Sequence, residues 1–194
     1  MPNLNAFYGL LVLIFLIFVL RQIKKHKIWR LIQTEQYQRL EKELDKTSTR
    51  MLIKAYNREN LKLNCYLMQR NKDKINGQYH KMRDIHKKPL DDQEFLTKMF
   101  NYYLQDNNKN ECKNIISAME KHLTNKTIIN ESKMLFNIIF NKSSAYIDLF
   151  IDQMKNMKDE QKGIACYYLS IQYKNKGEVE NQQKYEKLSK QYLC

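Results

Sequence analysis

Residues 4–20 read LNAFYGLLVLIFLIFVL and carry no charged side chain; Arg21, Lys24, Lys25, Lys27 and Arg30 follow at once. A bilayer core about 30 Å thick takes roughly 20 apolar helical residues. The uncharged run is slightly shorter, but Arg21 can extend its guanidinium to the headgroups and let Ile23 add to the apolar length. Leu, Ile, Val and Phe dominate and leave no polar face of the kind a soluble amphipathic helix shows. The stretch therefore reads as one membrane-spanning helix. A cleaved leader is the rival, and it would carry basic residues before the apolar run and small residues at its end. Here no basic side chain precedes Tyr8, and RQIKKHKIWR follows the run. An uncleaved anchor fits better.

The basic flank sets an orientation. Lys and Arg near a span stay on the cytoplasmic side, and here they all lie C-terminal to it. The expectation is a single-pass protein with its N-terminus outside and residues 21–194 in the cytosol. Arg21, Lys24, Lys25, Lys27 and Arg30 are expected to fix that topology and to meet lipid headgroups. Near an anionic surface each is worth about 1 kcal/mol. Trp29, the only tryptophan, is placed either for the headgroup level or for packing on the first hairpin. Residues 1–25 form the anchor and its basic flank, and residues 26–194 a folded domain.

Composition narrows that domain. Only 4 Gly and 2 Pro occur in 194 residues, which argues against an all-β fold and for helices with short connections. The 13 Tyr and 8 Phe suffice for a core. A net charge of +13 attracts anionic lipid or nucleic acid, and equally accompanies the Asn- and Lys-rich composition of an A+T-rich genome. Cys65, Cys112, Cys166 and Cys194 form no C-x-x-C pair and match no zinc spacing. They read as reduced, small apolar residues of a cytosolic core. His26, His80, His86 and His122 are scattered. Neither a metal nor another cofactor is expected.

Apolar spacing predicts helices throughout. Tyr37, Leu40 and Leu44 mark one amphipathic face. Thr47 to Thr49 offer capping oxygens before a long helix over residues 50–69. A helix carrying Ile75, Tyr79, Met82 and Ile85 follows a polar turn, and HKKPLDDQE then marks a joint. Pro89 disfavours helix at the residue before it, and Asp91 with Glu94 fits a capping box. Further helices are predicted at 92–105, 109–122, 127–140, 144–157, 160–174 and 178–192. Ser143 and Ser144 are placed to cap the fourth of these, and Gly177 to end the fifth.

The second helices of successive hairpins share an apolar pair three residues apart: Tyr79/Met82, Ile116/Met119, Ile151/Met154 and Tyr185/Leu188. Their first members recur at spacings of 37, 35 and 34 residues. The first helices share a late apolar anchor at Leu67, Leu104, Phe140 and Tyr173. Tyr37/Leu40 suggests an earlier partial unit. A two-helix period near 34 marks a solenoid of stacked hairpins, with an irregular bundle as the alternative. Leu169, Ser170, Tyr173 and Gly177 sit like the Leu, small residue, Tyr and Gly of the tetratricopeptide-repeat family, which residues 36–193 resemble. The family's second-helix small residue is replaced by Gln near Gln182 or Gln183, and its closing Pro is absent. The expected fold is all-α: an N-terminal transmembrane helix, then an antiparallel, tetratricopeptide-like helix-hairpin solenoid. The resemblance implies a surface that binds a protein or peptide.

The basic stretch 70–88 offers candidate anion contacts at Lys81, Arg83, Lys87 and Lys88, for lipid phosphate or nucleic acid. A solvated helix face, balanced by Asp73 and Asp84, explains the same residues and is preferred. The sequence has no Gly-rich phosphate loop, no G-x-S-x-G and no H-E-x-x-H, so no enzyme is expected. Asp91/Asp92 and Asp159/Glu160 sit at predicted helix starts, where acids favour the macrodipole. Three tripeptides starting at Asn125, Asn130 and Asn141 match glycosylation acceptors, which a cytosolic domain leaves unused. The expected function is a membrane-anchored adaptor or scaffold for an unidentified protein or peptide. Its alternatives are a tethered binder of anionic lipid or nucleic acid, or a structural subunit of a membrane complex.

Overall fold

The computed structural model describes residues 4–85 and 89–193, with side chains described outside 4–6, 84–85 and 89–92. All regular structure among the described residues is α-helical. The chain divides into two compact units, Met1–Lys87 and Lys88–Cys194. The division falls in the segment HKKPLDDQE that the sequence marks as a joint. The proposed Asp91/Glu94 capping box lies outside the described side chains, as do His86, Lys87, Lys88, Asp92 and Cys194.

The first unit holds α1 (Leu4–Gln33), α2 (Tyr37–Asp45), α3 (Thr47–Leu52), α4 (Ala55–Met68) and α5 (Lys72–Ile85). α1 is one unbroken helix with two environments. No described side chain before Arg21 is buried, whereas Ile28 and Leu31 are buried against the helices that follow. α2 and α3 return along α1, and α4 packs on α2 and α5. The helix expected over 50–69 is broken: Ile53 (φ −121°, ψ 129°) and Lys54 (ψ 144°) are extended. The break lets Ile53 turn into the core while Met51 stays in solvent. Thr47 to Thr49 consequently lie inside α3 rather than capping the next helix.

The second unit holds α6 (Pro89–Gln105), α7 (Lys109–His122), α8 (Lys126–Phe140), α9 (Ile147–Met154), α10 (Asp159–Lys176) and α11 (Val179–Leu193). Neighbouring helices pair, most extensively α10 with α11. Ile138, Phe150, Ala165, Leu169 and Tyr173 form a shared core of α8, α9 and α10. α9 is shorter than the expected 144–157 because side chains of α10 hold the preceding turn in an open path. Gln172 Oε1 accepts from the Tyr146 amide at 3.0 Å, and Asn175 Nδ2 donates to the Ile138 and Ser143 carbonyls at 2.9 and 3.2 Å. Ser143 accepts from Ala145 N inside that turn and so does not cap α9. Phe150 is buried in place of Ile151, which is 37% exposed, so the apolar pair Ile151/Met154 is out of register by one residue. α10 and α11 approach closely at two small residues. Ser189 Oγ donates to the Gly163 carbonyl at 2.8 Å, and a Cβ on Gly163 would lie 2.7 Å from Leu193 Cγ.

Backbone geometry carries a period of its own. The described residues with positive φ are Glu35, Arg70, Asn107, Lys142 and Gly177, at successive spacings of 35, 37, 35 and 35 residues. Each follows the C-terminus of a helix: α1, α4, α6, α8 and α10. Four share one hydrogen-bond pattern, in which the next residue's amide reaches back five positions, as Asn71 N does to Tyr66 O and Glu178 N to Tyr173 O. This is the Schellman closure, which favours Gly at the left-handed position. Only Gly177 supplies one. A side chain there costs about 1–2 kcal/mol. Gly177→Ala is therefore expected to lower the stability of the second unit by about 1 kcal/mol, and Lys142→Gly to raise it by a similar amount. Thermal or urea unfolding of the two variants checks the opposite signs.

Candidate functional site

α1 turns the basic flank into two faces. Arg21, Lys24, Lys27, Ile28 and Leu31 fall on the side toward α2 and α3, because residues three, four and seven apart share a helical face. Ile28 and Leu31 supply the apolar contact, and the cations end on specific acceptors. Arg21 Nε donates to the Leu52 carbonyl at the end of α3, at 2.9 Å. Lys24 and Lys27 both reach Glu43 of α2, at 2.6 and 3.0 Å, and Lys46 adds a third contact at 2.9 Å. The Glu43 side chain is only 3% exposed. Burial alone would raise its carboxyl, but hydrogen bonds from Lys24, Lys46 and Lys27 outweigh this and hold it at about 2. Lys25 and Arg30 lie on the outer side and make no ion pair among the described residues. Trp29 is also exposed there, so it does not pack on the first hairpin.

The basic stretch after α4 is also partly occupied. Lys81 Nζ lies 2.8 Å from Glu59 Oε2, and Gln78 Nε2 donates to the same oxygen at 2.9 Å. Burial opposes ionisation of Glu59, but its hydrogen bonds to Lys81 and Gln78 pull the carboxyl below its ordinary value. Lys74 pairs with Glu41 at 2.9 Å, and Glu41 also accepts from the Tyr66 hydroxyl at 2.7 Å. Of the candidate anion contacts, Lys81 is thus committed to a carboxylate inside the fold. Arg83 lies over the Tyr79 ring at 5.8 Å and makes no ion pair among the described residues. Lys87 and Lys88 lie outside the described residues. Sequence spacing shows only the local i,i+3 partners, Lys46 of Glu43 and Lys62 of Glu59; Lys24 and Lys27 reach Glu43, and Lys81 and Gln78 reach Glu59, from other helices.

No cluster of three or more His, Cys, Asp or Glu side chains suited to a metal occurs among the described residues. Cys65, Cys112 and Cys166 are buried and unbridged. Burial pushes the Cys65 thiol up to about 11 and the Cys112 thiol up to about 12, so neither is a thiolate at neutral pH. The paired acids Asp159 and Glu160 sit in the first turn of α10, on the macrodipole's positive end.

Among the described residues of the second unit, α10 leaves an apolar stripe open. Ile164 and Tyr167, three residues apart on α10, are 48% and 50% exposed, and Leu149 and Ile151 of the adjacent α9 are also exposed. The opposite side of α10 carries Ala165, Leu169 and Tyr173 into the core. An amphipathic helix with an apolar second face has surface to offer a partner. Comparison with known protein families, curated proteins and solved structures finds no match to this chain.

Proposed function

We propose that this chain is a single-pass membrane adaptor whose tetratricopeptide-like helical domain docks a protein partner at the cytosolic face. The membrane part rests on α1. Phe7–Gln33 is long and apolar enough to cross a bilayer and has none of its most apolar window buried. The repeat part rests on the recurring left-handed helix ends, which space the first helix of each pair by about one repeat unit. The cytosolic orientation rests on the one-sided distribution of Lys and Arg. The observation that carries docking is the exposed Ile164–Tyr167 stripe on α10, apolar surface of the kind that marks an interaction site. Binding rather than catalysis is the role of such a surface. The lipid or nucleic-acid alternative draws less support, since Lys74 and Lys81 are already paired with Glu41 and Glu59.

A photo-crosslinking side chain placed at Tyr167 of the full chain, in its native membrane, tests the docking surface. The expected product is a discrete protein adduct that still forms when irradiation is carried out in high salt and is missing when the probe sits at Lys187 on α11. Polyelectrolyte contacts weaken steeply with salt. An adduct to nucleic acid, one that fails to form in high salt, or none at Tyr167 would overturn the protein-partner reading.

A further inference from the structure

The path of the first unit returns to the end of the span. α1 leaves the apolar run at Arg21 and ends at Gln33, roughly 18 Å further along at 1.5 Å per residue. α2 then runs back antiparallel, since its Glu43 meets Lys24 and Lys27. α3 continues in that direction until the Leu52 carbonyl accepts from Arg21 Nε at 2.9 Å. α4 departs again: Lys62 pairs with Asp45 at 2.7 Å and Tyr66 with Glu41 at 2.7 Å, so later residues of α4 meet earlier residues of α2. Residues 50–54 are therefore the apex of the unit on the side of the span, and Gln69 lies at the opposite end beside Tyr37.

Arg21 fixes the depth of that apex. It is the first charged residue after the uncharged run, so its guanidinium belongs at the headgroup level, and its bond to Leu52 brings the apex to the same level. At that apex Met51 is 82% exposed, more than any other large apolar side chain described. Arg50 and Lys54 flank it and both are exposed, Arg50 with one nitrogen 3.3 Å from Asp45 Oδ1. An apolar side chain between two cations is the pattern of an interfacial contact, with the apolar group some 5–10 Å into the headgroup boundary. Met is flexible enough to adapt to that layer. We propose that the Arg50–Lys54 apex is a second lipid-contacting site, with Met51 inserted into the leaflet from which α1 emerges. Lipid is the occupant because the site is continuous with the span: no bilayer can hold residues 4–20 without reaching Leu52. The proposal rests on the membrane reading of α1.

Single-tryptophan variants of the full chain separate the two. Trp29→Phe supplies the background, and Leu13→Trp, Met51→Trp or Gln69→Trp is added to it; all four positions are exposed. The proteins are reconstituted into phosphatidylcholine/phosphatidylglycerol vesicles whose chains carry bromine either near the carbonyls or near mid-chain. Leu13→Trp is expected to lose most of its emission to the mid-chain bromine and Met51→Trp to the carbonyl-proximal one. Gln69→Trp is expected to keep its emission and stay open to aqueous acrylamide. If Leu13→Trp is quenched while Met51→Trp behaves like Gln69→Trp, the apex contact is refuted and the span stands. If Leu13→Trp is quenched by neither lipid, the membrane reading fails and the apex proposal falls with it.

Discussion

Glu43→Gln is expected to weaken the first unit by about 3 kcal/mol at neutral pH and to reduce its acid sensitivity between pH 4.5 and 2, to which the depressed carboxyls of Glu41, Asp45 and Glu59 also contribute. The carboxyl ordinarily titrates at 4.5 and is held at about 2 in the folded chain. A depressed carboxyl contributes stability that is complete above its unfolded value and is lost as pH falls toward its folded value. The contribution of Glu43 is therefore full at neutral pH, declines below 4.5 and is nearly gone at 2. Lys27 and Lys46 keep about half of their side-chain surface in water, at 47% and 55%, so added salt trims the effect. Segment-resolved hydrogen exchange, corrected for intrinsic rates at each pH, is the suitable readout because two units need not unfold together. The amides around Lys24 and Glu43 should lose more protection on acidification in the parent chain than in Glu43→Gln. Equal acid sensitivity in both chains would place the stabilising titration elsewhere.

The position of Glu43 alters what the basic flank can do. A lysine held on a buried carboxylate is worth less to a lipid headgroup than an unpaired one, since its charge is already matched. Of the five flanking cations, Lys24 and Lys27 are spent inside the fold, and Arg21 is shared with the Leu52 carbonyl. Lys25 and Arg30 make no ion pair among the described residues and stay exposed on the outer side of α1. The same contacts make α1 part of the unit's core. Because the helix is continuous through residue 25, no flexible linker separates the apolar run from the unit.

Much of this was legible in the sequence, and the exceptions have physical causes. Helix positions followed from apolar period and turn residues, so α6 to α8, α10 and α11 lie within a few residues of expectation. The left-handed end at Gly177 was readable because glycine advertises it. The equivalent ends at Glu35, Arg70 and Lys142 were not, since those residues adopt the conformation only under tertiary constraint. The break at Ile53–Lys54 carries no Gly or Pro and is decided by the burial of Ile53. The one-residue shift that buries Phe150 in place of Ile151 arises because Gln172 and Asn175, some 30 residues later, hold the turn open. The flank's cations stand out in the sequence, but their division into inner and outer faces needed α2, whose Glu43 looks in sequence like any surface carboxylate.

Charging the span tests the anchor most directly, and the magnitudes say that one charge will not suffice. Residues 4–20 contain thirteen Leu, Ile, Val or Phe. At about −0.3 to −0.6 kcal/mol each, these favour insertion by roughly 6 kcal/mol. One arginine near the centre costs about 2.5–3.5 kcal/mol, so Leu13→Arg alone should leave the chain in the membrane. Leu13→Arg with Leu16→Arg costs about as much as the whole apolar run supplies. The double variant is expected in the supernatant after alkaline extraction of membranes, while the parent and the single variant stay in the pellet. Both side chains are exposed and touch no part of either unit's core, so the release would not come from unfolding. If the double variant still pellets, the chain is held by something other than its first helix, and the anchor reading loses its basis.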